Sequence, residues 1–133
     1  MRRLALALVF IHALVILSHD AAHRELAIKL NDWQTIFVFS VIVAAPFLAA
    51  LLAFTQYARL GFGLLAVSMS GAFLFGIYHH YILISPDHVA HLPGGESQGL
   101  FRASAAVMAF LEFAGVGLGV WGWRSHSFPS RAL

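Results

Sequence analysis

The stretch LGFGLLAVSMSGAFLFGIYHHYILISPDHVAH, residues 60–91, decides the fold. From Leu60 to Ile84 it contains no Asp, Glu, Lys or Arg, and at about 1.5 Å per residue a helix of that length crosses a hydrocarbon layer of about 30 Å. Ser85-Pro86 ends the run, because proline biases the residue before it away from helix. Where it ends, His79, His80, His88 and His91 crowd together with Asp87 among them. A span that leaves an apolar layer through four imidazoles predicts a membrane helix with a histidine-rich rim.

The rest of the chain repeats the pattern. Of its 133 residues 60% are hydrophobic and 11% charged, and a mean hydropathy of +0.81 is far too apolar for a soluble domain. Apolar runs predict spans at about residues 4–22, 33–54, 60–84 and 100–123, with outer loops 23–32 and 85–99. The expected fold is an all-α integral membrane protein, one four-helix transmembrane bundle over residues 1–133. Met1-Arg2-Arg3 and the run that follows look like the start of a signal peptide. Around Asp20-Ala21-Ala22, however, Asp or His falls at the minus-three position, so a retained first helix is expected. Pro46, near the middle of the second span, predicts a bend there.

Four spans put both termini on one side. If that side is cytoplasmic it carries Arg2, Arg3, Arg59, Arg124 and Arg131, against Arg24, Lys29 and Arg102 outside, which predicts N-in and C-in. The histidine-rich end then faces out, toward the periplasm if the setting is a bacterial inner membrane. The expected partner is the lipid bilayer, with a homo-oligomer or a larger membrane complex open. The sequence pI near 9.5 comes from few charges and does not point to nucleic acid.

Eight histidines are the compositional outlier, and the absence of cysteine excludes disulfides, thiolate metal sites and haem attached through CxxCH. His12, His19 and His23 form one stripe along the first helix, within an arc of about 40° at about 100° per residue. His19 and His23 are spaced i, i+4 and His88 and His91 i, i+3, and both spacings let two imidazoles reach one ion. The expected site therefore gathers His19, His23, His79 or His80, His88 and His91 at the outer end, with Asp20 and Asp87 as oxygen ligands or as acceptors for the imidazole N–H groups. Imidazole with carboxylate suits Zn, Fe, Ni, Co or Cu(II). The plainer expectation is that these rings bond only headgroups, water and loop carbonyls. Deeper down, His12 and Glu112 lie at matching depth and are expected to meet, as a packing pair or as a relay.

The HxxxH of His19 and His23, the adjacent His79 and His80, and the HxxH of His88 and His91 together resemble in part the histidine boxes of membrane di-iron fatty-acid desaturases and hydroxylases. The likeness covers those six residues and lies in ligand chemistry: it implies imidazoles gathered on a metal. Full HxxHH boxes are absent, and the topology above puts the histidines on the side opposite to that family's.

Four functions follow as expectations. The first is a membrane metalloprotein that captures, transfers or transports a divalent transition metal through its His/Asp cluster. The second is a metal-dependent oxidoreductase, iron or copper, acting on an apolar substrate. The third is a b-type haem protein using His19 or His23 with His79 or His80 as axial ligands, and the fourth a structural subunit of a membrane complex.

Overall fold

The computed structural model describes residues 1–126; Arg131, counted above among the cytoplasmic charges, lies outside them. Among the described residues every regular element is helical and there is no strand. Helix α1 spans Arg2–Glu25. Its last turn closes with the Ile28 N–H donating to the His23 carbonyl at 2.9 Å while Ala27 takes φ 53°, a left-handed conformation that costs an L-residue about 1–2 kcal/mol. That tight turn folds Ile28 and Lys29 back beside His23.

The next segment is a composite. Asn31 opens α2, Asp32–Phe37, through a reciprocal cap: its side chain accepts from the Gln34 N–H at 3.0 Å, and the Gln34 side-chain oxygen accepts from the Asn31 N–H at 2.9 Å. A first π segment, Val38–Ala44, leads into α3, Ala45–Leu52. Pro46 lies just beyond the π segment, where its missing N–H leaves the preceding turn short of a donor; the expected irregularity therefore takes the form of a widened turn. Helix α4, Ala58–Ile77, likewise ends in a second π segment, Tyr78–Ile82, and α5 spans Gln98–Ser125. Taken with their π turns, Arg2–Glu25, Asp32–Leu52, Ala58–Ile82 and Gln98–Ser125 are each long and apolar enough to cross a membrane.

Packing rests on small residues and close backbones. Helices α4 and α5 make the most extensive contact in the bundle. A Cβ on Gly119 would meet the Ala66 backbone nitrogen at 2.5 Å, and one on Gly122 the Phe62 ring at 2.2 Å, so this seam exists only because both positions lack side chains. Helix α1 lies along α5 and meets α3 near its own start, where Ala5 and Val9 join Ala49, Ala50, Ala53, Phe62, Leu65 and Met69 in one core. Large apolar side chains point away from the bundle instead, with Val67 and Phe110 each 71% exposed. Farther along, α1 and the first π segment part, and a cavity of about 480 Å³ opens between Ile16, His19 and His23 on one wall and Val38, Phe39 and Ile42 on the other.

Candidate metal centre

At the end of the bundle away from the termini, His19 and His23 from α1 and His80 from the second π segment each offer a ring nitrogen, and the three nitrogens lie within 4.8 Å of one another. All three rings are buried. Phe101, fully buried near the start of α5, packs against all three with ring centroids at 4.5, 5.1 and 5.3 Å from His19, His23 and His80. An apolar wall therefore fixes the rings from one side and keeps water off them.

Hydrogen bonding assigns the nitrogens. The Ser104 hydroxyl has two carbonyls of its own helix within donating reach, Leu100 at 2.7 Å and Phe101 at 3.0 Å, and with its one hydrogen placed there it accepts from His19 Nδ1 at 2.8 Å. His19 thus carries its proton on Nδ1 and turns a bare Nε2 to the cluster. The Asp87 carbonyl, 3.1 Å from His80 Nδ1, likewise can only accept, which leaves His80 Nε2 bare. His23 Nε2 stands 3.1 Å from His19 Nε2 and donates to it, while His23 Nδ1 is buried with no partner. Two bare imidazole nitrogens beside a third that can change tautomer is a donor set that one cation satisfies.

Asp87 supplies the negative charge. One carboxylate oxygen lies 3.3 Å from both His23 Nε2 and His80 Nδ1, and it too is buried without a hydrogen bond. The loop aims it: the His80 carbonyl accepts from the Val89 N–H at 3.0 Å, and Ser85 accepts from the backbone N–H groups of Asp87 and His88 at 3.2 and 3.0 Å. Burial opposes ionisation of this carboxyl, but the neighbouring imidazoles of His80, His23 and His19 outweigh it and hold its pKa below the ordinary 3.8. Three nitrogens within reach of one ion, with a carboxylate beside two of the rings, suit zinc or another divalent transition ion.

No family model, curated protein or solved structure matches this chain. The site is therefore read from its own chemistry.

The remaining histidines and Asp20 have other partners. His79 points to α2, where Gln34 donates its amide N–H to His79 Nδ1 at 3.3 Å and Trp33 and Phe75 flank the ring. The adjacent pair thus divides, His80 to the cluster and His79 to its neighbour helix. His88 donates from Nε2 to the Tyr81 carbonyl at 3.2 Å and accepts at Nδ1 from the Ala90 N–H at 3.1 Å, so both its nitrogens staple the loop. Exposed His91 stacks beside it with centroids 5.0 Å apart. Asp20 pairs with Arg24 on the exposed side of α1. At mid-bundle His12 Nε2 and Glu112 Oε1 meet at 3.1 Å, both buried, so each satisfies the other.

Ser104 and Phe101 escaped the sequence reading, although Ser104, Met108 and Glu112 share an i, i+4 stripe on α5 that a search from Glu112 would have crossed.

Proposed function

We propose that this chain is a four-pass membrane protein, both termini cytoplasmic, that captures one divalent transition-metal ion at its outer end and holds it through His19, His23, His80 and Asp87. One observation carries the reading: three buried imidazoles from two separate segments meet within 4.8 Å, and the outward nitrogens of two of them are locked by Ser104 and by the Asp87 carbonyl. Insertion is supported by the four long apolar helices and the exposed large side chains around them. The orientation, in a bacterial inner membrane with the site toward the periplasm, is supported by Arg2, Arg3, Arg59 and Arg124 at the opposite end.

Holding an ion fits better than passing it inward. Toward the termini from His12 and Glu112, the bundle is closed by Ala5, Val9, Phe62, Leu65 and Met69. A haem fits poorly as well, since the His19 and His80 ring centroids are 4.9 Å apart and a macrocycle would have to lie between its two axial rings. The cavity beside the site favours a second reading, a metal-dependent oxidoreductase whose apolar substrate enters from the bilayer.

Metal analysis of purified protein, loaded with zinc, copper(II), iron(II), nickel or cobalt in turn and desalted, tests the main reading. One ion per chain is expected, lost in His23→Ala and His80→Ala and kept in His91→Ala. Stoichiometric metal surviving both cluster substitutions, or none retained by the unaltered protein, would sink it.

A further inference from the structure

The cavity between α1 and the first π segment carries more chemistry than an ion requires. Its walls are largely apolar and partly aromatic, with Ile16, Val38, Phe39, Ile42, Phe75 and Met108 among them. Among its polar lining groups two lie together: His80 Cδ2 and Glu112 Oε2 stand 3.9 and 3.8 Å from the one point that a Cβ on Gly76 would occupy. Glu112 Oε1 is taken up by His12, so Oε2 is the oxygen left to face this gap. The atom that His80 turns to the gap is Cδ2, a C–H, since its Nε2 lone pair belongs to the metal cluster. A carboxylate oxygen that faces a gap inside a largely apolar chamber calls for a donor, and the C–H edge beside it suits that donor's own oxygen.

We infer that the cavity binds a bilayer-soluble phenol with a hydrocarbon tail, its hydroxyl seated over Gly76 between His80 and Glu112. The O–H donates to Glu112 Oε2, and the oxygen rests against the His80 Cδ2–H edge. Ring and tail lie along Phe39, Phe75, Ile42 and Met108, which offer aromatic and thioether surface. The volume of about 480 Å³ is that of a small-molecule site. Entry is sideways: Phe39, which lines the cavity, is itself 66% exposed, and Leu17 on α1 is 65% exposed, so the cavity opens among lipid-like surfaces. The inference extends the proposed metal site to a ligand but stands on the cavity, and the two can fail separately.

Photo-crosslinking tests it. An alkylphenol with a diazirine in its tail is applied to the full chain in lipid nanodiscs and the labelled peptides are mapped, with 4-nonylphenol and its methyl ether as competitors. Labels are expected within Val38–Ala44 and around Ile16 and Met108, and the phenol should compete at a concentration at least tenfold lower than the ether. Gly76→Ala should abolish that tenfold difference while helical content stays unchanged, because a methyl group there sits at ordinary contact distance yet fills the gap. Labels confined to outward residues such as Val67 and Phe110, equal competition by the ether, or full discrimination in Gly76→Ala would each overturn the inference. Metal content measured on the same samples separates the readings, since loss of ion binding with labelling intact removes the metal site alone.

Discussion

At Ser104 a hydroxyl with one hydrogen meets a ring with two nitrogens, and because that hydrogen goes to the Leu100 and Phe101 carbonyls, His19 must present Nε2 to the cluster. Ser104→Ala removes this constraint without touching a metal donor. Affinity should fall about 10–100-fold with stoichiometry unchanged, as read by competition with a chromophoric chelator. Asp87 adds a pH dependence of known sign. Its folded-state pKa lies below 3.8, so its charge contributes stability that is fully present above that pH and is lost as the pH falls through the folded value. The stability gap between the unaltered protein and Asp87→Asn should be widest above pH 4 and close in stronger acid, as followed by denaturation in mild detergent. At this scale the sequence was legible in kind and less so in membership. Residue type and spacing pointed to His19, His23, His80 and Asp87. No spacing rule could reveal that Gln34 and the Tyr81 carbonyl would take His79 and His88, since those partners are set by tertiary packing.

Among the elements, the α4–α5 seam carries a sharp test. A Cβ on Gly119 would press into Ala66 backbone, which cannot swing aside, whereas one on Gly117 meets nothing within 4 Å. Gly119→Ala should destabilise the bundle by about 1–3 kcal/mol while Gly117→Ala leaves it at least as stable, measured by unfolding in mixed micelles. Helix existence was readable from apolar run length alone, because length against hydrocarbon thickness is a coarse and robust signal. The two π segments were not readable. Each inserts one residue into a turn without changing composition, and only Pro46 hinted at the first. The second shapes the end of the span that carries both His79 and His80, and with it the site.

For the whole molecule, orientation is the property that charge placement predicts and that a labelling experiment checks. The chain has no cysteine, so single substitutions report cleanly. Glu96→Cys should react with a membrane-impermeant maleimide added outside intact cells, and Thr55→Cys only after the cells are opened; the reverse pattern would turn the site inward. The parting of α1 from the first π segment has a mechanical consequence. These two walls belong to segments clasped together near the termini, through Ala5, Val9, Ala49 and Ala50, and joined again at the opposite rim by residues 26–31. The slot is thus framed like a buttonhole, and whatever enters from the side must pass between walls that stay joined above and below.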